Sequence, residues 1–296
     1  MSRDLRFDRD VRAWPNGGSS RLVEAAGLHW HVQTMGTGPV LLLVHGMGAS
    51  THSWRDVMPA LAGHFTVVAP DLPGHAFTSR PAAGRLSLPG MAGDLAALLD
   101  GLGLQPALAV GHSAGAAILC RMALDGRIAP KGIVSLAGAL LGFRGLAGHL
   151  FSPLAKILAS NDLAARLLVA TMSSRRYVER LIADQGSTLD PVGLDLYVRL
   201  VQSPAHVGSA LGMMARWDLD AFERDLPNLA VPLLQIVGGN DRSIPPSAAY
   251  RVRRILPGAV VDERRGLGHL AHEERPAAFA ERIVEFGRAV GALGPG

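Results

Sequence analysis

The sequence predicts an α/β protein: a mostly parallel central sheet flanked by helices, with a helical insertion between 137 and 228. Three observations carry this. Short, continuous apolar runs recur along the chain, as in strands buried on both faces. They alternate with stretches of helical spacing, which implies right-handed crossovers between parallel strands. The alternation stops after residue 136 and resumes at about 229, and no convincing strand lies between.

Residues 1–20 read as a polar arm closing in Pro15-Asn16-Gly17-Gly18-Ser19-Ser20. Two short strands follow, Arg21–Ala26 and Leu28–Thr34, joined at Gly27. His29 and His31 alternate around Trp30 and share one strand face, read as solvated or edge-strand rather than as a metal site. Val40–Val44 and Thr66–Ala69 are buried-strand runs, with helical spacing over Ser53–Ala62 between them. The rhythm continues with helix Leu88–Leu102, strand Pro106–Val110, helix Ala116–Leu124 and strand Gly132–Leu136. Strand Pro232–Val237, helix Ala248–Leu256, the short strand Ala259–Asp262 and helix Pro276–Val290 complete it. Inside the insertion, Leu146–Leu158, Leu163–Thr171, Arg176–Ala183 and Leu194–Val201 are spaced as helices. The insertion carries Arg144, Lys156, Arg166, Arg175, Arg176, Arg180, Arg199 and Arg216. The expected organisation is one core, 1–136 with 229–296, interrupted by a helical cap at 137–228.

A chain of 296 residues suits one large domain with an insertion. With 48% hydrophobic and 18% charged residues it is globular. No run approaches the roughly 18 apolar residues of a membrane span. The first ten residues mix charges without an apolar segment, so no secretory signal is read and the cytoplasm is the expected compartment. The single cysteine, Cys120, excludes an internal disulfide and sits in an apolar stretch, as a core residue does. The net charge of +4 is almost all arginine, with only Lys131 and Lys156 as lysines. It forms no dense basic stripe interleaved with aromatics, so nucleic acid is not an expected partner.

Gly111-His112-Ser113-Ala114-Gly115 lies between a strand and a helix. There a G-x-S-x-G sequence makes a strained turn that lifts the serine hydroxyl clear of the sheet. A serine hydroxyl is a poor nucleophile at pH 7 and needs an adjacent base, which needs an orienting acid. The base candidate is His269, in a glycine-bracketed loop before the last helix, with His272 the alternative. The two also form an H-x-x-H pair, but without the H-E-x-x-H spacing or a cysteine cluster; no metal and no cofactor is expected. The acid candidate is Asp241, just past the carboxyl end of Pro232–Val237, the side of an open α/β sheet where sites form. No carboxylate follows the strand Gly132–Leu136 in Ala137-Gly138-Ala139. The oxyanion hole needs backbone N–H groups; Ala114 supplies one and Met47, in His45-Gly46-Met47-Gly48, the other. Asp71 reads as a brace for its own loop.

Taken together, these residues resemble the α/β-hydrolase superfamily. His45-Gly46-Met47-Gly48, Pro70-Asp71-Leu72-Pro73-Gly74-His75, Gly111–Gly115, Gly239-Asn240-Asp241 and Gly268-His269 occur in that family's order. Ala76 departs from it, standing where the superfamily usually has glycine. A narrower resemblance rests on Trp14-Pro15-Asn16, Gly27–Gln33, His45–Arg55 and Phe77-Thr78. These are similar to the magnesium-chelatase accessory proteins of bacteriochlorophyll biosynthesis. That resemblance implies a photosynthetic bacterium, a tetrapyrrole-pathway role near magnesium insertion, and magnesium chelatase as a partner.

Three functional expectations follow. In the first, Ser113, His269 and Asp241 hydrolyse a small-molecule ester, thioester or amide. In the second, the chain is a non-catalytic tetrapyrrole carrier or chelatase partner whose cap arginines meet porphyrin propionates. In the third, Ala139–Ala159 gives weak peripheral membrane contact, although packing of the cap onto the core explains the same apolar residues.

Overall fold

The computed structural model describes residues 4–142, Val169 and 173–294. Eight strands form one sheet: β1 (Ser20–Ala25), β2 (Leu28–Met35), β3 (Val40–Val44), β4 (Thr66–Pro70), β5 (Leu108–His112), β6 (Ile133–Leu136), β7 (Leu233–Gly238) and β8 (Val260–Arg264). Their order is β1-β2-β4-β3-β5-β6-β7-β8. β2 is antiparallel to β1 and β4, and the remaining pairs are parallel. The chain runs from β3 outward to β4, then back across to β5. That reversal opens a crevice at the carboxyl ends of β3 and β5, where an open α/β sheet places its ligands.

The described helices are α1 (Phe7–Asp10), α2 (Val57–Leu61), α3 (Leu88–Leu102), α4 (Ala114–Leu124), α5 (Arg175–Asp184), α6 (Pro191–Val201), α7 (Pro204–Met214), α8 (Asp220–Asp225), α9 (Pro246–Ile255), α10 (Ala271–Glu274) and α11 (Pro276–Ala289). The two sheet faces follow from the strand period of two. Leu42 and Val44 of β3 pack with Met91 of α3 and Ile118 of α4. Leu41 and Leu43 point the other way, into a layer with Trp54, Met58 and Ile283. All four β3 residues are fully buried, as their unbroken apolar run requires.

Three expectations need correction. The single helix over Ser53–Ala62 is instead a tight turn at Thr51–Trp54 followed by α2. Long-range bonds hold that turn: Thr51 N–H donates to Asp71 Oδ1 at 2.7 Å. His31 is not on a solvated face. β2 is flanked on both sides, and the His31 ring is buried with Nδ1 2.6 Å from Asp71 Oδ2 and Nε2 2.9 Å from Ser20 Oγ. Nor are residues 4–20 merely a polar arm. Trp14 is buried against Phe77, its Nε1–H donates to Thr51 Oγ1, and the Arg199 guanidinium lies over its ring.

Between β6 and β7 the described residues contribute α5–α8 and no strand. The expected helices Leu146–Leu158 and Leu163–Thr171 lie outside the described residues, apart from Val169, as do Arg144, Lys156 and Arg166. Most of Ala139–Ala159 does too. Ser174, Asp190 and Ser203 cap α5, α6 and α7, each accepting a backbone N–H three residues on. No helix among the described residues is long and apolar enough to cross a membrane.

A buried polar seam ties this insert to the core. Arg55 Nη1–H donates to Glu273 Oε2 at 2.6 Å, and its Nη2 reaches Asp190 Oδ2 at 3.1 Å. Tyr197 O–H and Ser53 O–H both donate to Glu273 Oε1, at 2.7 and 2.8 Å. Burial pushes the Glu273 carboxyl up, and Arg55 opposes this. A charge paired inside protein is costly to orphan. Arg55→Met should therefore lower unfolding stability by about 3–5 kcal/mol in urea titrations, with Glu273→Met in the same chain recovering part of the loss. A single-variant loss below about 1 kcal/mol would show that the seam contributes little.

Buried histidines set a second expectation. Burial holds His45, His52, His75 and His112 below the ordinary imidazole range, His206 at about 4 and His272 at about 3. Each is neutral in the fold, whereas the unfolded chain protonates it below about 6.5. The unfolded state then binds more protons, so stability falls as pH drops through 6.5, by up to ~1.4 kcal/mol per pH unit for each such ring. Urea midpoints measured from pH 7.5 to 5 should decline steadily; a flat profile over that window contradicts the burial of neutral rings.

Candidate active site

The site begins where β5 ends. Ser113 has φ 51° and ψ −116°, a strained conformation for a residue with a side chain, and α4 starts at the next residue. Close backbone packing forces the turn. A Cβ atom on Gly111 would lie 2.4 Å from Ala116 N, and one on Gly115 would lie 2.2 Å from Val44 O. Three hydrogen bonds pin the serine backbone. Its N–H donates to Leu136 C=O at 2.9 Å, and its C=O accepts from Ala116 N–H at 3.2 Å and Ala139 N–H at 3.0 Å. Ser113 stays partly exposed. Ala114 N–H opens α4, where no intrahelical acceptor exists.

The loop after β3 comes against this turn: a Cβ on Gly46 would sit 3.1 Å from Ser113 Cβ. His45 shapes the loop. Its Nε2 accepts from Leu72 N–H at 2.9 Å and its Nδ1–H donates to Gly46 C=O at 2.8 Å, which sets the tautomer. Gly46 C=O also accepts from Ala49 N–H at 3.2 Å. A trans peptide sends its N–H opposite to its C=O, so two donors on the Gly46 carbonyl orient the Met47 N–H. His206 of α7 secures the same loop from the insert, donating from Nε2 to Gly48 C=O and accepting at Nδ1 from Ala76 N–H, both at 3.1 Å.

Asp241 follows β7. Its Oδ1 accepts the N–H groups of Ser243 and Ile244, each at 2.8 Å, which aims Oδ2 at His269 Nδ1, also 2.8 Å away. Both side chains are buried. Of the two histidines in the loop, only His269 meets the acid. His272 sits in α10 and donates from Nε2 to Ser53 Oγ at 2.8 Å.

His269 is tied to the residue before the serine. His112 Nε2–H donates to His269 C=O at 3.0 Å, and the two rings lie 4.8 Å apart. His112 is in turn 4.6 Å from the His272 ring. Burial, then His272 and His269, holds His112 far below its usual range, so it is a neutral spacer. Among the described residues no hydrogen bond yet joins Ser113 Oγ to His269; such bonds are often long before substrate closes a site.

The other candidates fall elsewhere. Asp71 braces loops: besides His31 and Thr51 it accepts from Phe77 N–H at 3.3 Å. Burial raises its carboxyl, but His31 and the backbone donors outweigh that and hold it at about 2. Cys120 is buried, which pushes its thiol up to about 12. Among the arginines of the insert, Arg175 pairs with Asp195, Arg180 with Asp184, and Arg199 with Asp10. No three His, Cys, Asp or Glu residues are grouped to hold a metal ion among the described residues. Sequence reasoning assigned no role to His112, although it stands inside the G-x-S-x-G pentapeptide. It also passed over the Arg55–Glu273 seam, whose partners stand 218 residues apart.

Residues 39–276 match the family described as alpha/beta hydrolase fold. The magnesium-chelatase 30 kDa subunit of Rhodobacter capsulatus is 38% identical over 275 residues, covering 92% of this chain and 96% of that protein. Pyrrolizixenacetamide deacetylase of Xenorhabdus hominickii is 32% identical over 254 residues, covering 85% and 91%. Among solved structures, the unliganded epoxide hydrolase CorEH has a TM-score of 0.78 at 23% identity, over 92% of this chain and 99% of that one; the likeness is one of fold. The chain belongs to the alpha/beta hydrolase fold family.

Proposed function

We propose that this protein is a serine hydrolase of an ester, thioester or amide, acting in bacteriochlorophyll or related tetrapyrrole synthesis. The observation that carries the hydrolase reading is the 2.8 Å contact between Asp241 Oδ2 and His269 Nδ1, with the His269 carbonyl held by His112, the residue before the strained Ser113. In this reading His269 Nε2 takes the Ser113 proton as Oγ attacks the carbonyl carbon. Asp241 holds the ring in the tautomer with hydrogen on Nδ1 and stabilises the imidazolium that forms. The N–H groups of Met47 and Ala114 receive the oxyanion. His269 then returns the proton to the leaving group, and water repeats the sequence on the acyl-serine. In this reading the segment 137–228 selects the substrate.

The pathway assignment rests on the likeness to the magnesium-chelatase 30 kDa subunit over nearly the full length of both chains. That likeness equally favours a second reading, in which the protein carries a tetrapyrrole or docks on magnesium chelatase without catalysis. Fold alone does not decide between them.

The two readings part on Ser113→Ala. Under the hydrolase reading, this variant loses labelling by a fluorophosphonate probe, and ester turnover falls on the order of 10⁶-fold. Asp241→Asn costs less, on the order of 10⁴-fold, because the serine and oxyanion donors remain. The same Ser113→Ala gene should fail to restore pigment in a cell lacking the wild-type copy. Full restoration of pigment by Ser113→Ala rejects hydrolysis as the biological role and leaves the carrier reading.

A further inference from the structure

Asp241 and His269 stand on core loops, but the segment closing over them belongs to the insert. Gln185, Gly186 and Ser187 follow α5 on the way to α6. Gln185 C=O accepts two N–H groups, from Arg242 and from His269, both at 3.3 Å. One carbonyl thus joins the backbone of the proposed base to the residue after the proposed acid. Ser187 Oγ accepts Leu270 N–H at 2.8 Å. These three N–H groups have no other acceptor among the described residues.

The fit leaves no slack. Gly186 has φ +83°, and a Cβ on it would lie 2.0 Å from Asn240 O. From the other side, a Cβ on Gly268 would lie 2.3 Å from the Gly186 carbonyl carbon and 2.4 Å from Ser187 Oγ. Ordinary packing between an insert and its core buries side chains. Here backbone polar groups of two separate loops are matched by one short segment, and both sides need glycine.

We infer that Gln185–Ser187 is a positioning element for the Asp241–His269 pair, so that the insert sets how firmly the base is coupled to its acid. The inference rests on the roles proposed above for those two residues. When the segment is in place, the backbone of 242, 269 and 270 is held, and the ring of His269 faces the carboxylate. Displacing Gln185–Ser187 would leave those N–H groups without their acceptors. A substrate or partner that moves the insert therefore acts on proton transfer without touching Ser113. His206 makes a second contact of this kind, on the Gly48 carbonyl beside Met47.

Ser187→Ala tests it, because it removes the acceptor for Leu270 N–H and adds no bulk. The control is Ser174→Ala, which removes a serine cap from the start of α5, away from both loops. Two readouts are followed in the full-length protein: the His269 Nδ1–H proton in spectra of histidine-labelled protein across pH, and the rate of fluorophosphonate labelling. In Ser187→Ala the proton should exchange faster with water. Labelling should slow by up to about 100-fold, as expected when a catalytic group is misplaced. Ser174→Ala should match wild type in both. A Ser187→Ala protein with the wild-type proton signal and labelling rate overturns the inference. If wild type shows the proton and Ser187→Ala loses it, yet neither is labelled, the hydrolase reading fails and the positioning role stands.

Discussion

A helix that turns off a strand with no room for a Cβ atom is the constraint on which the site depends. Gly111 and Gly115 let α4 approach the end of β5 and the backbone of Val44, and the strain of that approach falls on Ser113. The arrangement is uncomfortable taken alone. It persists because the surroundings overdetermine it: a sheet buried on both faces beneath, and three backbone hydrogen bonds on the serine itself. One of those bonds comes from Ala139, just after β6, so the chain entering the insert already clasps the turn.

From that turn outward, buried rings each hold one neighbouring polar group, while His112 Nδ1 and His272 Nδ1 have no partner among the described residues. His45 orients the Gly46 peptide, His112 holds the His269 carbonyl, and His272 leans on Ser53. All three are neutral because burial disfavours their charge. Neutral imidazole is well suited to this task. It gives one donor and one acceptor on a rigid ring, and it brings no positive charge that would compete with His269 for the Asp241 carboxylate.

Much of this was legible in the chain. The buried strands announced themselves as unbroken apolar runs, and the G-x-S-x-G turn by its place between a strand and a helix. The chain order of Asp241 and His269 suggested their pairing, and the two side chains meet at 2.8 Å. Choosing His269 over His272 on firm grounds needed geometry, because only the fold shows that one ring meets Asp241 and the other meets Ser53. The helix α7 escaped notice because Pro204–Met214 is built largely of small residues with a weak apolar stripe. His31 was misplaced for a related reason. Strand alternation tells which residues share a face, but not that Phe7 and Phe77 cover it. The seam of Arg55, Tyr197 and Glu273 joins three distant stretches, and no local pattern marks such a meeting.

The amino-terminal arm has a consequence in time. Asp4 accepts at Oδ1 from Ser203 O–H and Ala205 N–H, both at 2.9 Å, across 199 and 201 residues of chain. Its anchor on α7 is therefore made long after the arm itself. At about 5–20 residues per second, the ribosome leaves that clasp open for roughly 10–40 s. Trp14 and Phe7 have the Phe77 ring available early, but not the helices that finish their enclosure. The nascent chain thus holds an aromatic, Arg-rich flap in waiting until Ser203 and Ala205 are made.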